Sequence, residues 1–175
     1  MPNPIYTVGH STRTIPDFVE LLREADVCFV VDVRTMPRSR TNPQFNRDVL
    51  AESLAGYQIG YEHVAELGGL RGKQSKAAPS PNAYWENVSF RNYADYALGP
   101  AFRTGLARLQ VIGDRSITAI MCAEAVWWRC HRRIVADYLI ASGRPVFHIL
   151  GPGKINPATL TPGARPGGEG ILYPA

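Results

Sequence analysis

The 175-residue sequence contains no hydrophobic run of the length that a membrane-spanning helix needs, which is about 20 consecutive apolar residues. The first four residues show no basic segment followed by an apolar one, so we expect no secretory signal. Three cysteines, an odd number without regular spacing, argue against a disulfide framework. These absences predict a cytoplasmic protein with reduced thiols and no membrane partner.

Common cofactor and phosphate motifs are also missing. Neither Gly-x-Gly-x-x-Gly nor Gly-x4-Gly-Lys-Ser/Thr occurs, which excludes the usual dinucleotide and P-loop sites. A cysteine phosphatase would need an arginine where Trp128 follows Cys122 and Ala136 follows Cys130. Cys122, Cys130, His131, His10 and Glu124 include ligand types that zinc prefers, but the sequence has no Cys-x2-Cys or His-x3-His pair. We therefore expect no cofactor, with a metal site as the less favoured alternative.

Basic side chains are concentrated in three segments, although the net charge is only +4. These segments contain Arg34, Arg38, Arg40 and Arg47; Arg71, Lys73 and Lys76; and Arg129, Arg132 and Arg133. Guanidinium groups bind phosphates and carboxylates in a bidentate manner. The pattern predicts an anionic partner, either a small molecule or a nucleic acid; the alternative is a solvated surface.

Apolar segments of strand length alternate with amphipathic segments of helical length. We predict strands over residues 5–8, 28–34, 59–64, 117–121 and 146–150, with the last helix running from about Ala125 to Ala141. The alternation predicts one α/β domain over residues 1–150, Rossmann-like and three-layered, with a mostly parallel sheet of five strands or slightly more. Residues 151–175 contain six glycines and five prolines. They predict an irregular extension, packed on the domain or trailing from it, in which residues 171–173 can dock.

Polar residues that can take part in catalysis or binding follow several of these strands. Because right-handed crossovers bring the carboxyl ends of parallel strands to one edge, these residues should meet there, where open α/β sheets bind ligands. The catalytic candidates are Cys122, Glu124, Asp32 and His10. The candidates for binding a substrate or phosphate are Ser11, Arg34, Arg38, Arg40 and Arg132, with His131 and Cys130 as further site residues.

Cys122 is the candidate nucleophile, because a helix N-terminus and a nearby arginine lower the pKa of a thiol. His10 would then serve as a base or as a proton donor, whereas the alternative is a small buried thiol. Asp32 and Arg34 either form an ion pair or, in the case of Asp32, share acid and base roles with Glu124. Glu124 alternatively caps the helix.

His131 shares a helical stripe with apolar residues, so it either packs in the core or faces the site. In the same pattern Arg132 lies on the opposite, outer side of the helix. Cys130 and His131 thus have a structural and a functional interpretation, and both stay open.

With these segments in view, the chain resembles a known family, the domain of unknown function 488. The matching residues are Val8-Gly9-His10-Ser11, Asp32-Val33-Arg34, Pro37, Arg38-Ser39-Arg40, Phe45, Leu67-Gly68-Gly69, Cys122-Ala123-Glu124 and Cys130-His131-Arg132. The resemblance implies a small cytoplasmic α/β domain and marks these positions as the family's pattern. It implies no reaction, because the family has no established activity.

Two functional hypotheses follow. The first is an enzyme, a hydrolase or group transferase, acting at the carboxyl edge of the sheet on an anionic substrate derived from a nucleotide or nucleic acid. Trp85, Trp127 and Trp128 offer stacking faces for a base, although a core role is the simpler interpretation. The alternative is a non-catalytic nucleic-acid-binding module that uses the basic loops.

Overall fold

The computed structural model describes residues 2–175, so Met1, the first residue of the predicted domain, lies outside the described residues. A six-stranded sheet forms the centre of the molecule. Its strands are β1 (Ile5–Gly9), β2 (Phe29–Asp32), β3 (Gly60–His63), β4 (Thr118–Cys122), β5 (Val146–Gly151) and β6 (Lys154–Pro157). The spatial order is β3-β2-β4-β1-β5-β6, and every neighbouring pair is parallel except β5 with β6.

Five α-helices cover the sheet: α1 (Ile15–Glu24), α2 (Arg47–Ala55), α3 (Val88–Tyr96), α4 (Pro100–Arg115) and α5 (Arg132–Ala141). Helix α1 begins after Thr14, because the Thr14 hydroxyl accepts a hydrogen bond from the Asp17 amide at 3.2 Å. Among residues 2–175 no helix combines the length and the apolar character that crossing a membrane requires.

The core divides into one layer on each face of the sheet. Alternate strand residues point to opposite faces, so Val31 belongs to the cluster with α4 and α5, whereas its neighbour Val30 belongs to the cluster with α1 and α2. Each cluster contains large, fully buried side chains, such as Phe102 in the first and Phe18 in the second. The predicted three-layer, mostly parallel, Rossmann-like fold is therefore confirmed.

The start of the last helix differs from the prediction. Helix α5 begins at Arg132 rather than near Ala125, and residues 123–131 form a loop with a short 3-10 turn at Trp127–Arg129. A side chain, and not a helical amide, satisfies part of the loop backbone: the Glu124 carbonyl accepts from Arg132 Nη2 at 2.6 Å. Cys130 has extended dihedral angles (φ −127°, ψ 149°), which interrupt any helix that reaches it from Ala125.

The C-terminal extension is more regular than the prediction of an irregular segment. Besides β6, it contains a hairpin of β7 (Arg165–Gly167) and β8 (Gly170–Leu172). Ile171 and Tyr173 are buried, and the Tyr173 hydroxyl donates to Asp137 Oδ2 at 2.8 Å. Glycine and proline content alone predicts turns, but here it coexists with strands of only three or four residues.

Candidate active site

A cavity of about 490 Å³ opens at the carboxyl edge of the sheet. Predicted site residues that line it are His10, Arg34, Arg38, Cys122, Glu124, Cys130 and His131. A neighbouring cavity of about 430 Å³ shares His10 and Glu124 and adds Ser11. The structure thus brings together side chains from β1, β2, β4 and the loop before α5, as the parallel topology requires. Asp32, Arg40 and Arg132 are the predicted residues that do not line either cavity.

Two cysteine sulfurs form part of the wall of the larger cavity. Cys122 Sγ and Cys130 Sγ lie 2.7 Å apart, a hydrogen-bond contact in which one thiol donates to the other sulfur. Cys122 is the last residue of β4, and Cys130 is two residues before α5. Both side chains are buried. The loop of residues 123–131 therefore folds back and brings the Cys130 sulfur into contact with the Cys122 sulfur.

Arg132 binds both sulfurs, Cys122 through its side chain and Cys130 through its backbone amide. Its Nε donates to Cys122 Sγ at 3.1 Å and its Nη1 donates to Thr7 Oγ1 at 3.0 Å, while the Arg132 backbone amide donates to Cys130 Sγ at 3.4 Å. Arg132 is 0% exposed, which corrects the prediction that it lies on the outer side of the helix. The helix starts seven residues later than predicted, so its first turn points this side chain into the core.

No carboxylate pairs with Arg132 among the ion pairs of residues 2–175. A buried guanidinium without an opposite charge carries a large desolvation cost, so charges in this position are normally paired. The groups that accept hydrogen bonds from the guanidinium are the Cys122 sulfur, the Thr7 hydroxyl and the Glu124 backbone carbonyl. A thiolate is the only anion that these groups can supply.

The pKa directions of the two thiols agree with this charge balance. Burial raises the pKa of the Cys130 thiol, but the hydrogen bond from Cys122 and the positive charge of Arg132 outweigh it and lower that pKa to about 7. Burial, together with the hydrogen bond to Cys130, raises the pKa of Cys122 well above its ordinary value. These directions favour Cys130 over Cys122 as the sulfur that carries a negative charge near neutral pH.

His131 lies at the N-cap of α5, beside Cys130, and not on the helical stripe that the sequence predicts. Its Nε2 donates to the Val33 carbonyl at 2.7 Å, and its Nδ1 lies 3.4 Å from Cys130 Sγ. Burial lowers the pKa of His131, so the ring is neutral and Nδ1 carries a free lone pair. A Cβ on Gly69 would lie 2.5 Å from that Nδ1. Glycine at this position is what allows the 68–69 loop to pack against the imidazole.

Two further residues, Thr7 and His148, hold Arg132 in place, and the sequence reasoning did not assign them to this site. Because Thr7 Oγ1 accepts from Arg132, its own hydrogen is directed to His148 Nδ1 at 2.6 Å. Burial, together with the charge of Arg132, lowers the pKa of His148 to about 3, so this histidine accepts as a neutral ring. His148 stacks on Trp127, with ring centroids 4.5 Å apart. The sequence signal that could have identified Thr7 and His148 is a polar residue within an otherwise apolar strand. The two strands pair in parallel, and Thr7 lies opposite His148.

Asp32 and Arg34 form the ion pair that was one of the two predicted alternatives. Arg34 Nη2 lies 2.7 Å from Asp32 Oδ2, and Arg34 Nε lies 2.9 Å from Oδ1. The Tyr61 hydroxyl also donates to this carboxylate. Since Asp32 is 0% exposed and Glu124 is exposed on the cavity wall, the structure does not bring the two carboxylates together as an acid and base pair.

His10 lies between β1 and the Asp32–Arg34 pair. Its Nδ1 donates to the Ser11 carbonyl at 2.8 Å, so its Nε2 accepts from Arg34 Nη1 at 3.3 Å. Burial is the largest effect on the pKa of His10 and lowers it, and the Arg34 charge acts in the same direction. Ser11 adopts a left-handed conformation with φ 47°, and a Cβ on Gly9 would lie 1.8 Å from the Glu124 carbonyl. The Gly-His-Ser segment is therefore shaped by its close contact with the loop after β4.

The outer wall of the larger cavity combines cationic and apolar side chains. Arg38 and Arg129 are exposed, and neither takes part in an ion pair of the described chain. Leu70 is 73% exposed and Met36 61% exposed on the same wall. Of the three tryptophans, Trp85 is buried, Trp127 stacks on His148, and only Trp128 presents an exposed face.

Across residues 2–175, no three His, Cys, Asp or Glu side chains are arranged to hold a metal ion. The fold and the cavity define a three-layer α/β protein with a paired-cysteine site at the carboxyl edge of its sheet. A family model described as "Domain of unknown function DUF488" matches residues 14–139, which is most of the chain. The chain therefore belongs to the DUF488 family, as its motifs indicated. No curated protein and no solved structure matches it.

Proposed function

We propose that this protein is an enzyme that uses the Cys130 thiolate for hydrolysis or group transfer on an anionic, nucleotide- or nucleic-acid-derived substrate. One observation carries the proposal: a fully buried arginine, Arg132, contacts the sulfur pair and has no carboxylate partner in the described chain. A protein that stabilises a thiolate in this way gains a nucleophile at neutral pH. A purely structural thiol needs no such counter-charge.

The nucleophile in this proposal is Cys130, whereas the sequence pattern favoured Cys122. The reason is the late start of α5, which turns the helical N-terminus and the Arg132 amide toward Cys130. Cys122 donates a hydrogen bond to the thiolate and so helps to stabilise the negative charge. Arg132 and Asp32 serve as positioning residues, and His10 holds the Arg34 guanidinium at the cavity wall.

The chemistry takes two balanced steps. In the first, Cys130 Sγ bonds to the electrophilic centre of the substrate as the bond to the leaving group breaks, and Glu124 passes a proton from solvent to the leaving group. In the second, water or an acceptor hydroxyl attacks the same centre and releases the thiolate. His131 Nδ1, which is unprotonated and adjacent to the sulfur, accepts the proton of that attacking group.

The substrate class rests on the outer wall of the cavity. Arg38 and Arg129 supply unpaired guanidinium groups for a phosphate or carboxylate, while Leu70 and Met36 supply apolar contact for a flat ring such as a base. Arg40 is exposed beyond this wall and is assigned to longer anionic substrates. Because a thiolate nucleophile requires a reducing compartment, a cytoplasmic location forms part of the proposal.

The test compares Cys130→Ser with Cys28→Ser in turnover of nucleotides and phosphoesters. Cys28 is exposed and lies before β2, at the opposite edge of the sheet, so it serves as the matched control. We expect Cys130→Ser to abolish turnover and Cys28→Ser to leave it unchanged. Equal activity of both variants would overturn the proposal.

A second candidate function, non-catalytic nucleic-acid binding, is favoured by the exposed basic side chains of Arg40, Lys73 and Lys76. It predicts binding that weakens steeply with salt and is insensitive to Cys130→Ser. Titration of labelled single-stranded and duplex oligonucleotides at two salt concentrations separates the two functions. The enzyme proposal instead predicts turnover that is lost in Cys130→Ser.

A further inference from the structure

We propose that Cys122 and Cys130 form a reversible disulfide that switches off the cavity when a peroxide enters it. The role of this disulfide as a switch rests on the proposed function, but formation of the bond can be tested without any substrate.

The geometry supplies the first argument. The two sulfurs lie 2.7 Å apart, and both side chains line the larger cavity. The cysteines are eight residues apart in the chain and are joined by an exposed and half-buried loop. That loop can adjust to the shorter S–S bond without a change in the sheet, because α5 begins only at Arg132 and Cys122 ends β4.

The surrounding groups supply the second argument. A thiolate that faces a cavity is the form of cysteine that a peroxide oxidises, and its first product is a sulfenic acid. A resolving thiol must then lie next to it, and Cys122 is in hydrogen-bond contact. Arg132 contacts both residues through its side chain and its backbone amide, so it stabilises the negative charge that each sulfur carries in turn.

The reaction balances with hydrogen peroxide as the oxidant. The Cys130 thiolate attacks one peroxide oxygen, the O–O bond breaks, and hydroxide leaves, so that the sulfur is oxidised by two electrons and the peroxide is reduced. Cys122 loses its proton and attacks the Cys130 sulfur, the S–S bond forms, and the second hydroxide leaves. Overall, two thiols and one hydrogen peroxide give one disulfide and two waters. A small dithiol reverses the process by thiol–disulfide exchange.

The bond would remove the nucleophile and leave Arg132 without its anionic partner. The oxidised protein should therefore lose turnover and recover it on reduction. Oxidation also protects Cys130 from the irreversible sulfinic and sulfonic states, since the disulfide forms in place of further reaction with peroxide.

The experiment treats the full-length wild-type protein with hydrogen peroxide and then with dithiothreitol, and follows intact mass and peptide maps. We expect a loss of two hydrogens, a linked 122–130 peptide, an unchanged Cys28 thiol, and full reversal by dithiothreitol. In Cys122→Ser or Cys122→Ala the same treatment should give a sulfenic acid on Cys130 that dimedone traps.

Oxygen addition to Cys130 in the wild-type protein without the linked peptide would overturn the inference, as would oxidation of Cys28 ahead of the pair. The two proposals fail separately. A disulfide in a protein with no turnover of any substrate removes the proposed function alone, whereas Cys130-dependent turnover that survives peroxide removes the switch alone.

Discussion

Replacing Arg132 with glutamine is the sharpest perturbation of the thiolate site. Glutamine keeps part of the side-chain volume and hydrogen-bonding ability but removes the positive charge that contacts the Cys122 sulfur. Burial is the largest effect on the Cys130 thiol, and without the Arg132 charge it is opposed mainly by the hydrogen bond from Cys122, so the pKa of Cys130 rises. Arg132→Lys keeps the charge and should retain a lowered pKa.

The expected magnitude follows from the pKa of Cys130. That pKa is lowered from the ordinary value of 9.0 to about 7 in the folded protein. A complete return to the ordinary value is the upper limit of the change and corresponds to roughly 3 kcal/mol less stabilisation of the thiolate. At pH 7 the thiolate fraction would fall from about one half to about 1%.

The assay is titration of the ultraviolet thiolate absorbance in a Cys28→Ser background, so that only the buried pair contributes. Arg133→Gln is the matched control, because this neighbouring arginine contacts Thr161 and Trp127 rather than the sulfurs. Circular dichroism verifies that each variant is folded at the start. The reasoning is refuted if folded Arg132→Gln still gains half of its thiolate signal near pH 7.

Three further predictions test other parts of the site. Gly69→Ala should displace His131 and slow turnover by ten-fold or more, on the order expected for a misplaced catalytic group, while Gly72→Ala, whose Cβ meets nothing within 4 Å, should not. The contribution of His148 to the free energy of unfolding should be fully present above pH 6.5 and should decrease as the pH falls toward 3. The reason is that His148 binds a proton more readily in the unfolded protein, where its pKa is 6.5, than in the folded protein, where its pKa is about 3. Urea unfolding of wild-type and His148→Phe should show a shallower pH dependence in the variant. Arg38→Gln and Arg129→Gln should each raise KM for a phosphate-bearing substrate with little change in kcat, and an unchanged KM in both would remove these side chains from substrate binding.

The fold could be predicted from the sequence because its strands and helices differ clearly in hydrophobic pattern. Val30-Val31 and Ala119-Ile120-Met121 are continuous apolar runs, as buried parallel strands require. Thr14 and Pro16 mark the start of α1. The carboxyl edge as the meeting point of His10, Arg34 and Cys122 then followed from the handedness of the crossovers.

The start of α5 could not be predicted from the sequence in the same way. Residues 125–131 have apolar spacing that continues the helix, but stacking of Trp127 on His148 and capture of the Glu124 carbonyl by Arg132 are long-range contacts that override local pattern. The seven-residue error reversed the assignment of Arg132 from exposed to buried. It also moved the helical N-terminus from Cys122 to Cys130, and with it the expected position of the negative charge.

The C-terminal strands were missed for a related reason. Lys154–Pro157 pairs along β5 with little buried side-chain area, so no hydrophobic alternation marks it. Tyr173 was correctly expected to dock, because an isolated aromatic in a polar tail has few other ways to leave water.

The central claim, that Cys130 is a thiolate near neutral pH, is tested most directly by the pH dependence of its alkylation. Folded Cys28→Ser protein is treated with iodoacetamide from pH 5 to pH 10, and peptide mapping gives the rate at each remaining cysteine. The account predicts that Cys130 is modified before Cys122 and that its rate is half-maximal near the pKa of about 7. Modification that begins only near the ordinary thiol pKa of 9.0, or that occurs first at Cys122, would contradict it.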